Sequence, residues 1–90
     1  MYEDGKYKQN PDVSWRVIDG QAVLIHNREG EIEVLNELGT FLWERAGEPL
    51  DRLVEAVTEE WDVAEEQARE DALEFFERLI DSGALVSREE

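Results

Sequence analysis

The residue types that could carry out catalysis are few in this chain, and their spacing does not bring them together. His26 is the only histidine, it ends an apolar run, and the chain has no cysteine. A zinc site therefore has no ligand set, and no serine or threonine has a base and an orienting carboxylate at a recognisable spacing. We predict no catalytic residues, no metal site and no cofactor, and we expect a structural or solvent-facing role for His26.

Carboxylates are abundant, with 24 acidic residues against 9 basic ones and a formal net charge of −15. A phosphate backbone is bound mainly by lysine and arginine, so this charge argues against a nucleic-acid partner. Several acids recur at helical spacing and form one helix face, which we interpret as a solvated surface. These are Glu66, Glu70, Glu74, Glu77 and Asp81.

The length of the chain also favours binding over catalysis. Its 90 residues suffice for one domain with a modest core and leave little room for an enclosed active site. No apolar run approaches the ~18 residues of a membrane span, and the polar residues 1–6 do not resemble a signal peptide. We therefore expect a soluble, cytoplasmic protein with no membrane partner.

The hydrophobic pattern predicts a sheet that could form a binding surface. Alternating or apolar runs at 14–18, 22–25 and 31–35 predict three strands, and Asp19-Gly20 is a two-residue hairpin signal. The second run is apolar on both faces, as in a central strand. The third strand then lies at the edge of an antiparallel meander, where one row of its N–H and C=O groups has no partner and can accept a peptide.

The pattern changes to a helical period at Asn36, which is a favourable N-cap for the first of three helices. The second helix is predicted to begin at Pro49, and the third to cover about 63–82. Asp62 and Glu65 have the spacing of a capping box for the third helix.

The apolar stripe of the third helix is wide, covering about 160° at ~100° per residue, whereas about 100° suffices for packing on a small core. One margin is marked by Leu73, Ile80 and Arg69, and the other by Phe75 and Ala68. One of these margins is expected to be free for a partner, and the pattern leaves open which one.

Before the first strand, residues 1–12 are polar and lack periodicity. We expect them to form a flexible lead-in, with the folded domain covering residues 13–87.

Two segments of the sequence resemble the PqqD-like proteins, the recognition elements for precursor peptides that are ribosomally made and then modified. The first runs from Leu35 to Trp43 and reads Leu-Asn-Glu-Leu-Gly-Thr-Phe-Leu-Trp, and the second is the closing run from Asp71 to Leu85. The resemblance covers about residues 11–86. Ala72, where the family often has a larger aliphatic residue, departs from the pattern.

The resemblance implies an α+β fold of the winged helix-turn-helix type, with a three-stranded antiparallel meander followed by three α-helices. It also implies a noncatalytic chaperone that binds the leader of a precursor peptide as an added strand on its third strand, beside the third helix. The leader is then presented to a modifying enzyme such as a radical S-adenosylmethionine enzyme, as in pyrroloquinoline quinone biosynthesis, or to a protease or cyclase, as for lasso peptides. The expected peptide-binding residues are Glu31, Ile32, Glu33, Val34, Arg69, Leu73, Phe76, Glu77 and Ile80.

Two alternatives from other classes stay open. The first is a winged-helix DNA-binding regulator, although the third helix offers only Arg69 and Arg78 among many acids. The second is a homodimer in which two third strands pair edge to edge. The sequence also leaves open which alternate residues of the third strand, Glu31 and Glu33 or Ile32 and Val34, would point toward a bound peptide.

Overall fold

The protein is described by a computed structural model that covers residues 2–88. The architecture is α+β, as predicted, with an antiparallel meander followed by three helices and a second, two-stranded sheet. In chain order the elements are β1 (Tyr7–Gln9), β2 (Val13–Ile18), β3 (Gln21–His26), β4 (Glu31–Val34), α1 (Glu37–Glu44), α2 (Leu50–Glu60), α3 (Glu65–Ser82) and β5 (Leu85–Ser87).

The meander has the strand order β2-β3-β4, so the run predicted to be central is central. The hairpin between β2 and β3 is confirmed, because Ile18 lies opposite Gln21 and only two residues connect them. The two connecting residues adopt a positive φ, 55° at Asp19 and 80° at Gly20, which is the geometry that a tight two-residue turn requires.

The sheet buries only one of its faces. Ala22, Leu24 and His26 of β3 point into the core, whereas Val23 is half-buried and Ile25 is 40% exposed on the opposite face. The helices cover the inner face and leave the outer face open. The largest fully buried side chains are Trp43, Phe76, Leu24, Leu42, Leu53, Leu79, Val54 and Val57.

The structure differs from the expectation for residues 1–12. Strand β1 lies within this segment and pairs with β5, with Tyr7 opposite Ser87. Before it, Tyr2 is only 7% exposed and its ring stacks on Phe76 with 4.7 Å between centroids. A three-residue strand shows no readable period, and its partner lies at the far end of the chain, so sequence pattern alone could not reveal it.

The helix starts agree with the sequence in two of three cases. The Asn36 side chain accepts a hydrogen bond from the Gly39 N–H at 2.7 Å, and α2 begins directly after Pro49. The capping box predicted for α3 is wrong, because the N-cap is Ala64 and no side chain caps the helix. Asp62 lies two residues before this N-cap, too early in the chain to cap α3.

The buried phenol of Tyr2 gives the stability a dependence on alkaline pH. Burial raises the pKa of Tyr2 above its ordinary value, the Asp4 carboxylate raises this pKa further, and Arg88 opposes the rise. Because the folded-state pKa exceeds the unfolded one, the stabilisation by the neutral phenol is complete below about pH 10 and is lost as pH rises through the folded-state pKa. We expect the unfolding free energy of the parent to fall more steeply above about pH 10 than that of Tyr2→Phe. Urea unfolding at a series of pH values measures both slopes, and identical slopes would contradict this assignment.

Candidate functional site

Strand β4 is one of the two edge strands of the meander, and the hydrogen-bond register defines which of its backbone groups are available. The N–H of Leu35 donates to the carbonyl of Ala22 at 2.8 Å, in line with the register of the two strands. Antiparallel pairs alternate between bonded and non-bonded, so Glu33 also bonds to β3. The N–H and C=O groups of Ile32 and Val34 therefore point away from the sheet, toward the open edge.

The side chains of β4 divide between the two faces of the sheet. Glu31 and Glu33 lie on the inner side, where a Glu33 carboxylate oxygen is 3.3 Å from Nε2 of the buried His26. Ile32 and Val34 lie on the outer side and are 67% and 59% exposed. A strand added to this edge would thus meet carboxylates on one face and aliphatic side chains on the other.

Helix α1 begins where β4 ends, and a glycine in its first turn allows α3 to approach closely. A Cβ built on Gly39 would lie 3.0 Å from a ring carbon of Phe75 and 3.1 Å from Oδ1 of Asn36. Any larger residue at this position would push Phe75 away or disturb the cap. The glycine of the Leu-Asn-Glu-Leu-Gly segment therefore brings α3 beside the end of β4.

A depression lies at this junction, between the start of α1 and the Phe75 margin of α3. Its walls combine apolar surface with charge, since the Arg78 guanidinium lies 5.6 Å from the centroid of the Phe75 ring and two α3 carboxylates stand beside it. It can therefore accept an apolar side chain next to a basic one. The lining residues are Asn36, Leu38, Gly39, Leu42, Asp71, Glu74, Phe75 and Arg78.

The margin of α3 marked by Leu73 and Ile80 faces a different part of the molecule. Arg69, one turn before Leu73, forms an ion pair with Asp51 of α2 at 2.8 Å. Leu73 and Ile80 are half-buried against the core on that side. Arg69 is thus paired with α2, and Leu73 and Ile80 lie on the margin of α3 opposite Phe75. A contact between these three residues and a peptide stays a prediction.

The two remaining α3 residues of the predicted site also lie away from the depression. Phe76 has no exposed surface and stacks beneath Tyr2, so a peptide cannot reach it in this structure. Glu77 is exposed on the solvent side of α3. Phe75 and Arg78, which are not among the predicted residues, line the depression. The apolar stripe already marked this margin by Phe75, but the sequence pattern did not determine which margin borders the end of β4.

Within residues 2–88, no cluster of three or more histidine or carboxylate side chains is arranged to hold a metal ion. No helix in this range has both the length and the apolar character to cross a bilayer.

The strands and helices define an α+β domain of the winged helix-turn-helix type with one strand edge open beside its third helix. Residues 21–85 match the family described as Coenzyme PQQ synthesis protein D (PqqD), and the chain belongs to this family.

Two solved structures share the fold over almost their whole length. One is described as TbiB1 in complex with the TbiA(beta) leader peptide; it has a TM-score of 0.82 and 24% identity, and the match covers 92% of this chain and 99% of that one. The other is a lasso peptide synthetase B1 complexed with the leader peptide, with a TM-score of 0.83 and 23% identity, covering 90% of this chain and 98% of that one. A search of curated protein sequences gave no match.

The register of β4 predicts different stabilities for two proline variants. Glu33→Pro removes an N–H that bonds to β3 and should lower the free energy of unfolding by about 1–3 kcal/mol, because a carbonyl of β3 loses its partner. Val34→Pro removes an N–H that points to solvent and should cost far less. Val34→Ala controls for the lost side chain. Chemical denaturation followed by circular dichroism compares the variants, and equal losses for the two prolines would mean that the register is wrong.

Proposed function

We propose that this protein is a noncatalytic chaperone that binds the leader of a ribosomally synthesised precursor peptide as an added strand on β4. The observation that carries the proposal is the outward-pointing backbone of Ile32 and Val34 beside the depression at Phe75. Main-chain hydrogen bonds along such an edge supply affinity for any extended peptide, and side-chain pockets beside it supply selectivity. Membership of the PqqD family and the leader complexes formed by the two similar proteins support this function.

The arrangement suggests how a leader would be recognised. Its inward-facing side chains would pass over Glu33 and enter the depression, where Leu38 and Phe75 offer apolar contact. Asp71 and Glu74 would favour a basic side chain at the rim. Recognition of this kind needs no catalytic group, and it leaves the rest of the precursor free for a modifying enzyme, such as a radical S-adenosylmethionine enzyme, a protease or a cyclase, acting in the cytosol.

The alternative functions fit the surfaces less well. The exposed side of α3 carries Glu66, Glu70 and Glu77, which would oppose insertion of this helix into a DNA groove. A homodimer formed by pairing two β4 edges would use the same N–H and C=O groups as the leader and would place Glu31 and Glu33 beside the acids of the second copy. Leader binding and that dimer would exclude each other.

The peptide used for the test is the product of the short open reading frame nearest this gene, synthesised with a fluorescent label. We expect it to bind the parent, to bind Val34→Ala nearly as well, and to bind Val34→Pro at least about tenfold more weakly, because one edge hydrogen bond and its neighbours are lost. Fluorescence anisotropy gives the dissociation constants. Unchanged binding to a folded Val34→Pro would exclude strand addition at β4, and retention of a random DNA duplex on filters at low salt would favour the DNA-binding alternative.

A matched pair of leucines tests which margin of α3 lies beside the peptide. Leu38 and Leu73 are both half-buried on helices, but Leu38 lines the depression and Leu73 is on the α2 side. Leu38→Glu should weaken leader binding by about 1–3 kcal/mol through lost apolar contact and added charge, whereas Leu73→Glu should leave the dissociation constant unchanged. Calorimetry measures binding and thermal melts report stability. A larger loss of binding in Leu73→Glu than in Leu38→Glu would mean that the peptide lies beside the Leu73 margin of α3.

A further inference from the structure

The outer face of the meander is apolar and uncovered, in a protein that is otherwise strongly acidic. Four of its aliphatic side chains are substantially exposed: Ile18 at 51%, Ile25 at 40%, Ile32 at 67% and Val34 at 59%. Arg16 is the one charged side chain that β2, β3 and β4 place on this face. Exposed apolar patches of this kind mark interaction surfaces in soluble proteins.

The aliphatic residues of β3 and β4 form two rows across this face. Ile25 lies directly opposite Ile32, and Val23 lies directly opposite Val34. Each row ends at the open edge of β4. An added strand is therefore the nearest structure that could continue both rows.

The backbone geometry determines which residues of an added strand would meet these rows. Ile32 and Val34 carry the outward-pointing N–H and C=O groups, so in an antiparallel arrangement each would form a hydrogen-bonded pair with one peptide residue directly opposite. Directly opposite side chains share a face of the sheet, with their Cβ atoms about 5 Å apart. The two peptide residues are separated by one position and point to the outer face, away from the depression at Phe75.

We propose that the leader carries two apolar residues, aliphatic or aromatic, at positions i and i+2, which pack against Ile32 and Val34 on the outer face of the sheet. This inference rests on the proposed strand addition at β4 and names a second determinant of its specificity. Apolar side chains at both positions extend the two rows and remove the most exposed aliphatic surface of the protein from water. Charged or small polar residues at these positions would leave that surface hydrated.

The test uses a library of random twelve-residue peptides displayed on phage and selected on the immobilised full-length protein. Counter-selection against Val34→Pro removes peptides that bind elsewhere. We expect the enriched sequences to share an apolar pair at i and i+2, and replacement of both residues by serine in the best peptide should raise its dissociation constant about tenfold or more.

Two variants test whether the apolar pair of the peptide packs against Ile32 and Val34, at the ends of the two rows. Ile32→Lys combined with Val34→Lys should select acidic residues at the same two positions, because the pairing surface is now basic. Ile18→Lys is the matched control, since Ile18 is exposed on the same face but lies on β2, opposite Gln21 and outside both rows. It should select the same apolar pair as the parent, and circular dichroism verifies the fold of each variant.

The outcomes separate this inference from the function on which it rests. Enriched peptides that lack the apolar pair, or a folded lysine double variant that still selects it, would overturn the inference while peptide binding stands. Loss of the pair in Ile18→Lys would overturn its assignment to the β4 rows. An absence of any enrichment on the parent would overturn both the inference and the proposed peptide-binding function.

Discussion

The architecture depends on how the hydrogen-bond ladder of the meander ends at Ala22. Its carbonyl accepts from the N–H of Leu35 at 2.8 Å, and its own N–H donates to the hydroxyl of Thr40 in α1 at 2.7 Å. Helix α1 thus supplies the acceptor for the buried Ala22 N–H, which a carbonyl of a longer β4 would otherwise supply. The bond to Thr40 ends the pairing of β4 with β3 after Val34 and holds α1 against β3. The bond from Leu35 fixes the β3–β4 register in which the backbone groups of Ile32 and Val34 point outward.

The placement of α3 follows from contacts on both sides of its apolar stripe. On one side, Gly39 lets Phe75 pack against the start of α1, which brings the helix beside the end of β4. On the other side, Tyr2 covers Phe76, and Arg69 pairs with Asp51 of α2. The wide stripe is therefore used on both margins, one to close the core and one to border the depression beside the edge strand.

Charge and hydrophobicity are distributed unevenly over this small domain. Most of the acids within residues 2–88 lie outside the meander, whereas the outer face of the meander exposes aliphatic side chains. A monomer exposes such a face only at a cost in hydration free energy, and the open edge of β4 is an aggregation hazard unless it is occupied. An occupied edge would reduce both problems at once, which gives the proposed strand addition a thermodynamic rationale.

Local signals in the sequence determined most of the fold. The Asp19-Gly20 turn, the cap at Asn36 and the apolar run of β3 each depend on residues that are adjacent along the chain, so the meander, its order and the first helix start were predictable. Tertiary structure alone decided the features that join distant segments. The pairing of β1 with β5 and the cover of Tyr2 over Phe76 link opposite ends of the chain.

The same limit explains what the sequence left open about the site. Helical periodicity defines a stripe but not its rotation about the core, so it could not choose between Leu73 and Phe75. The alternation of a strand defines two faces but not which row of amides bonds inward. The sequence by itself therefore determined that an edge strand and a wide apolar helix exist, whereas packing at Gly39 and the ladder at Ala22 decided which of their surfaces come together.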